Sequence, residues 1–98
     1  MDYFLIRYRV RPDKAAEQAA AVREFVAAIA ADAEAQIGYT VYRADETAFV
    51  HLAEVADAET LARLQSRPYF KAFAEGMRPR CEAPPEVTKL ARFLSTSG

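Results

Sequence analysis

The feature that most constrains the fold is the segment 48–55, whose sequence is AFVHLAEV. Both sets of alternate positions in this run are largely apolar, which is typical of a β-strand covered on both faces. The run also contains His51, the only histidine of the chain. A chain of 98 residues has helices for one face of a sheet and little for the other. The sequence therefore predicts that a second copy of the protein covers the second face.

Composition restricts the class of protein. A length of 98 residues indicates one domain, 1–98, with a core at about 3–94 and a tail at 95–98. The chain is 52% hydrophobic and 28% charged, as expected of a globular domain rather than a disordered one. Its formal net charge of −1 argues against a nucleic-acid partner.

Cysteine content and hydropathy bear on location. Cys81 is the single cysteine, which excludes an intramolecular disulfide and fits a reducing compartment. No apolar run approaches the ~18 residues that a membrane span requires. The N-terminus passes directly into a strand pattern and has no signal-peptide features. We therefore expect a cytoplasmic protein that does not bind membranes.

Hydrophobic periodicity predicts the element order β-α-β-β-α-β. Residues 3–11 alternate with period two, and residues 14–35 carry apolar side chains at helical spacing. The predicted elements are a strand at 3–11, a helix at 14–35, strands at 38–44 and 48–55, a short helix after Asp57, a helix from Pro68, and a strand at 86–94. This order is the split βαβ arrangement. The predicted fold is α+β and ferredoxin-like, with a four-stranded antiparallel sheet and helices on one face.

Three short motifs connect the chain to a known family. They are YRVRPD at 8–13, FVHL at 49–52 and PYFKAF at 68–73. On these motifs the chain resembles the antibiotic biosynthesis monooxygenase-like proteins of the dimeric α/β-barrel superfamily, over roughly residues 3–94. The resemblance implies a homodimer in which two ferredoxin-like sheets pack through their helix-free faces into a barrel. It also implies a ligand pocket between the sheet and the helices of each subunit.

The family contains several activities, and the residue content separates them. Its members include cofactor-free oxygenases that act on polyketide phenols, quinol oxygenases and haem degraders. The haem-degrading branch uses an asparagine, a tryptophan and a histidine on a helix. This chain has no tryptophan and no asparagine, and its one histidine lies in a predicted strand. The sequence therefore argues against haem degradation, and the polyketide oxygenase site does not transfer residue by residue.

His51 is the leading candidate for a catalytic base. An imidazole with a pKa near neutrality can take a phenolic proton, and the resulting anion is electron-rich enough to begin oxygenation without a cofactor. Tyr8 and Tyr42 are candidates for orienting the substrate. The alternative for all three residues is packing, with His51 as a core histidine that makes one hydrogen bond. The further residues predicted to bind substrate are Tyr69, Phe70, Phe73, Met77 and Arg7.

Arg7 belongs to a cationic column with Arg9 and Arg11 on one face of the first strand. Three like charges in a row repel one another unless a partner compensates them. The partner is either an anionic ligand or a set of glutamates from either subunit, namely Glu46, Glu54 or Glu86.

Two hypotheses for function follow. The first is a cofactor-independent monooxygenase that acts on a small hydrophobic phenol or quinol. The second is a module without catalysis, which either binds a small aromatic ligand or only dimerises. No metal site is expected, because one histidine and one cysteine thirty residues apart do not make a ligand set. No cofactor is expected either, and with only three glycines the chain has no glycine-rich phosphate loop.

Overall fold

The sheet and its helices follow the predicted order in a computed structural model that describes residues 1–97. Of the expected tail at 95–98, Gly98 lies outside the described residues. The elements are β1 (Asp2–Arg9), α1 (Ala15–Ala31), β2 (Gly38–Arg43), β3 (Ala48–Val55), α2 (Ala58–Gln65), α3 (Pro68–Met77) and β4 (Glu86–Leu90), with 3-10 turns at Pro12–Lys14 and Arg78–Arg80. The four strands pair in the order β2-β3-β1-β4, and every pair is antiparallel. The ferredoxin-like α+β prediction is confirmed.

Strand register decides which side chains face the helices. Val41, His51, Ile6 and Val87 form one row across β2, β3, β1 and β4. Since side chains alternate between faces, every second residue of each strand lies on this side of the sheet. His51 is 1% exposed, which shows that the helices cover the centre of this face.

Two apolar clusters hold the helices on the sheet. One contains Tyr8, Val10, Phe49 and Cys81 and lies near the C-terminal end of β1. The other consists of buried residues of α1 and α2, namely Phe25, Ile29 and Leu64. The clusters lie on either side of His51, so the histidine occupies the middle of the covered face.

The helix α1 ends at Ala31, four residues before the predicted end at 35, so that boundary prediction was wrong. Asp32 leaves the helical conformation, with φ −93° and ψ 91°, and its Oδ1 accepts the backbone N–H of Glu34 at 3.2 Å. An aspartate side chain that bonds the backbone ahead of it competes with the helix. The same carboxylate accepts hydrogen bonds from Arg67 and Tyr69, each at 2.8 Å, and so ties the end of α1 to the start of α3.

The first and last strands are also shorter than predicted. β4 ends at Leu90 rather than at 94, because Leu90 already pairs with Tyr3 and β1 begins at Asp2. β1 itself ends at Arg9, after which Val10 makes an isolated bridge to Cys81. Beyond Arg9, the backbone N–H groups of Val10 and Arg11 instead donate to the carbonyls of Thr47 and Arg80, each at 2.9 Å.

Candidate functional site

A cavity of about 370 Å³ lies between the sheet and the helices α2 and α3. The residues that line it come from all four strands, all three helices and the segment before β4: Phe4, Ile6, Phe25, Tyr39, His51, Ala53, Leu61, Leu64, Gln65, Phe70, Phe73, Ala74, Met77, Pro85 and Val87. Most are apolar or aromatic. Val87 is 64% exposed, so the cavity meets solvent beside the edge strand β4. The prediction of a space between sheet and helices matches this geometry.

His51 is the polar centre of the cavity. Its Nε2 lies 2.7 Å from the Tyr8 hydroxyl, and its Nδ1 lies 2.6 Å from the Tyr39 hydroxyl. Both distances are those of good hydrogen bonds. The three residues belong to β1, β2 and β3, and alternation places them on the same face of the sheet. Both ring nitrogens are therefore occupied, and of the two tyrosines Tyr39 is the one that lines the cavity.

The hydrogen bonds continue away from the cavity on the Tyr8 side. The Gln18 side-chain amide donates to the Tyr8 hydroxyl at 2.7 Å, and Arg80 Nε donates to Gln18 Oε1 at 2.6 Å. Gln18 is 0% exposed. We call the five residues Tyr39, His51, Tyr8, Gln18 and Arg80 the polar chain. Within residues 1–97, no buried side-chain nitrogen or oxygen lacks a hydrogen-bond partner.

Burial keeps the three ionisable groups of the polar chain nearest the cavity, those of Tyr39, His51 and Tyr8, uncharged at neutral pH. It lowers the pKa of His51 to about 4, because the charged imidazolium loses its hydration in the core. Burial also raises the pKa of Tyr8 and of Tyr39 well above the usual range of a tyrosine. At neutral pH the cavity floor thus carries the neutral phenol of Tyr39 and the neutral imidazole of His51, with the neutral phenol of Tyr8 behind them.

Aromatic rings pack around this floor. Phe73 stacks on Phe25 with ring centroids 4.1 Å apart, and Phe25 meets the ring of Tyr39 edge-on at 5.3 Å. The ring of Phe73 also lies 6.0 Å from that of His51. Flat aromatic walls above a polar floor suit a flat ligand that has one polar end.

The structure brings some of the predicted site residues together. Phe70, Phe73 and Met77 line the cavity on the α3 side, and Tyr8 supports His51 from behind. Whether any of them acts in catalysis stays a prediction.

The other predicted site residues lie elsewhere. Tyr42 is 58% exposed and pairs with Val50, so it is on the sheet face opposite to His51. Arg7 is on that same opposite face and binds Glu86 at 3.1 Å, which supplies the counter-charge that the sequence left open. Tyr69 is directed to Asp32. None of the three lines the cavity.

Sequence reasoning missed Tyr39, Gln18 and Arg80. The hairpin register pairs Arg43 with Phe49, which places odd-numbered residues of both strands on one face. A register one residue different would have placed Tyr42 beside His51 instead. The signal for Gln18 was its position four residues before Val22 in the buried stripe of α1. For Arg80 the sequence holds no comparable signal.

Other surfaces are less suited to a ligand. A groove of about 680 Å³ beside the start of α1 is larger, but its walls are alanines and exposed charged side chains. Residues 1–97 contain no cluster of three or more His, Cys, Asp or Glu side chains that could hold a metal ion. Over the same residues, no helix is long and apolar enough to cross a membrane.

Comparison with known proteins identifies the family. The family model for antibiotic biosynthesis monooxygenase matches residues 1–76, so the chain belongs to the antibiotic biosynthesis monooxygenase family. No match is found among curated proteins. The matched range includes β1 to α2, all of α3 except Met77, and four of the five residues of the polar chain.

Solved structures agree with the fold. A crystal structure of an antibiotic biosynthesis monooxygenase superimposes with a TM-score of 0.85 at 15% identity, covering 96% of this chain and 100% of the other. Rv0793 from Mycobacterium tuberculosis gives a TM-score of 0.84 at 20% identity, with 97% of each chain covered. SnoaB, a cofactor-independent oxygenase from Streptomyces nogalater, gives a TM-score of 0.79 at 19% identity, covering 99% of this chain and 97% of SnoaB.

Proposed function

We propose that the protein is a cofactor-independent monooxygenase that acts on a small hydrophobic phenol or quinol bound in the cavity. The observation that carries the proposal is the Tyr39–His51 pair at the floor of a largely apolar space. A volume of about 370 Å³ lies in the range of small-molecule sites. Membership of the monooxygenase family supports the type of reaction.

The bound substrate lies with its ring between an aromatic wall from α3 and an aliphatic wall from the sheet, and with its oxygen at the Tyr39 hydroxyl. Phe70 and Phe73 from α3 form one wall, and Ile6 and Ala53 of the sheet form the other. Tyr39 is the only hydroxyl-bearing residue among those that line the cavity. A polar anchor in largely apolar surroundings fixes the orientation of the ligand while burial supplies most of the affinity.

The chemistry balances with dioxygen as the only co-reactant. A phenol with a free para carbon loses its hydroxyl hydrogen and the para hydrogen. One oxygen atom becomes the new quinone carbonyl, and the other leaves as water with those two hydrogens. The substrate supplies all four electrons, so the reaction consumes no external reductant. The protein's part is to bind the substrate, stabilise its electron-rich anion and keep bulk water away.

His51 acts through Tyr39 in this arrangement. Both ring nitrogens are bonded to tyrosine hydroxyls, so a ligand oxygen meets Tyr39 before it meets the imidazole. Tyr39 is the group that touches the substrate, and His51 is a positioning residue. This differs from a direct base at His51, which would need a free ring nitrogen facing the cavity.

The assembly we propose is a homodimer formed through the helix-free face of the sheet. That face presents Leu5, Val50 and Leu52, and it carries the exposed ring of Tyr42. Phe93 and Leu94, which follow β4, are 92% and 82% exposed. Exposed apolar surface of this kind is typical of an interaction surface.

Oxygen uptake with a panel of phenols, naphthols and quinols tests the function. We expect uptake with at least one compound, and one oxygen atom from isotopically labelled dioxygen in its product. Tyr39→Phe should lower the rate roughly ten- to a hundredfold, as for a lost hydrogen bond to a charged group. Tyr42→Phe is the matched control and should leave the rate unchanged.

Two results would contradict the proposal. A compound that binds and is recovered unchanged after incubation in air would indicate a binding module. A protein whose melting temperature no panel member raises, and which consumes no oxygen, would indicate a purely dimerising module.

A further inference from the structure

The polar chain has a direction, which follows from the kinds of groups it contains. Arg80 begins it, because a guanidinium only donates hydrogen bonds. Arg80 Nε donates to Gln18 Oε1 at 2.6 Å, which makes this atom the carbonyl end of the amide. The NH₂ end therefore faces Tyr8 and donates to its hydroxyl oxygen at 2.7 Å. Arg80 fixes the orientation of Gln18 in this way.

The direction continues through Tyr8 to His51. The Tyr8 oxygen accepts from Gln18, so its own hydrogen needs an acceptor, and the neighbouring atom is His51 Nε2 at 2.7 Å. If Nε2 carried a hydrogen instead, the Tyr8 oxygen would accept twice and its hydrogen would have no partner. Tyr8 is 7% exposed, and a buried donor without an acceptor is strongly unfavourable.

The last step reaches the cavity. With Nε2 as an acceptor, a neutral imidazole carries its hydrogen on Nδ1 and donates it to the Tyr39 oxygen at 2.6 Å. The hydroxyl hydrogen of Tyr39 is then not used by His51. Because Tyr39 lines the cavity, this hydrogen is available to a ligand.

We propose that Gln18 and Arg80 are positioning residues that fix His51 as the Nδ1–H tautomer and make Tyr39 a hydrogen-bond donor to an electron-rich ligand oxygen. The ligand oxygen is a phenolate or a quinone carbonyl, a class that rests on the proposed function. The tautomer of His51 does not rest on it. The site therefore favours the ionised form of a phenol, which is the form that reacts with dioxygen.

Nitrogen NMR of the unliganded protein tests the direction of the hydrogen bonds in the polar chain. His51 is the only histidine, so ¹⁵N-histidine labelling gives the signals of one ring. Long-range ¹⁵N–¹H correlations distinguish the two neutral tautomers. We expect the Nδ1–H form at neutral pH. Finding the Nε2–H form would overturn the proposal.

Gln18→Glu reverses the chain at its second residue. A carboxylate accepts from Arg80 with one oxygen and from the Tyr8 hydroxyl with the other. Tyr8 then accepts from His51 Nε2, so we expect the Nε2–H tautomer. Glu17→Gln is the matched control, because Glu17 contacts Arg80 at 3.7 Å but does not belong to the polar chain. This variant should keep the Nδ1–H form. A folded Gln18→Glu protein that keeps the Nδ1–H form would contradict the role of Gln18 and Arg80.

Binding of para-nitrophenolate tests the ligand end without any requirement for turnover or for a folded Gln18 variant. Tyr39→Phe should weaken binding roughly ten- to a hundredfold, since it removes a hydrogen bond to an anion. Binding of para-nitroanisole, which has no anionic oxygen, should change little. Equal weakening of both ligands, or of neither, would overturn the donor role of Tyr39.

The two sets of results separate this inference from the proposed function. A protein with the Nδ1–H tautomer and selective phenolate binding, but without oxygen uptake, would support the inference about the polar chain and contradict the proposed enzyme. A protein that oxidises a phenol while His51 is in the Nε2–H form would support the proposed enzyme and contradict the inference about the polar chain.

Discussion

Burial of His51 couples the stability of the folded protein to pH. Its pKa is about 4 in the folded chain, against an ordinary value of 6.5 that the unfolded chain regains. Above pH 6.5 neither state binds a proton at this ring. Between these two values the unfolded state binds one and the folded state does not. The free energy of unfolding should therefore fall by roughly 1.4 kcal/mol for each pH unit of acidification in this window.

Urea unfolding at a series of pH values from about 7 down to about 4.5 measures this slope. His51→Gln should flatten it, because glutamine keeps hydrogen-bonding capacity and does not titrate. Hydrogen bonds hold the pKa of Asp32, Asp45 and Asp57 below its ordinary value of 3.8, so these carboxylates contribute mainly at lower pH. An equal slope in the variant would show that another group is responsible.

At the scale of elements, α2 stabilises the fold mainly through one side chain. Leu64 is 1% exposed and packs in the cluster with Phe25 and Ile29, whereas Leu61 on the same helix is half-buried. Leu64→Ala should cost about 2–5 kcal/mol of unfolding free energy, because it removes buried methyl groups and leaves a void. Leu61→Ala is the matched control with a smaller loss. Chemical denaturation followed by circular dichroism compares the two, and equal losses would contradict this account.

The elements show where sequence reasoning succeeds. Period-two and helical spacing predicted the strands and helices in the right order, and Asp57, after which a short helix was predicted, caps α2 by accepting the backbone N–H of Thr60 at 2.8 Å. These features depend on local preference and on which face is apolar. Such information is present in a single sequence.

The candidate site depends on information of a different kind. Tyr39 rather than Tyr42 reaches His51 because the hairpin register pairs Val41 with His51. The alternation of side chains within β2 does not by itself determine that register. Gln18 is polar yet lies in the buried stripe of α1, because Tyr8 and Arg80 supply its partners from distant parts of the chain. Contacts across 10 and 62 residues cannot be read from local spacing.

For the whole molecule, the helix-free face predicts self-association. Sedimentation at micromolar concentration should show a dimer of the 10.9 kDa chain. Leu52 pairs with Leu5 in the middle of that face. Leu52→Glu should shift the equilibrium to monomer, because the dimer would then bury an unpaired charge. Ala27→Glu, on the exposed side of α1, is the control. A wild-type protein that sediments only as a monomer would refute the dimer.

The distance from Tyr39 to the open end of the cavity limits the length of ligand that can be buried. Tyr39 lies on β2 and the exposed Val87 on β4, the two edges of the sheet. Three strand spacings separate these edges, about 14 Å. A para-alkylphenol anchored at Tyr39 is a ligand rather than a substrate, because its para carbon is blocked. It should gain about fourfold in affinity for each methylene, as each one is buried. The gain should stop once the tail passes Val87, so selectivity is strict at the inner end of the ligand and permissive at its outer end.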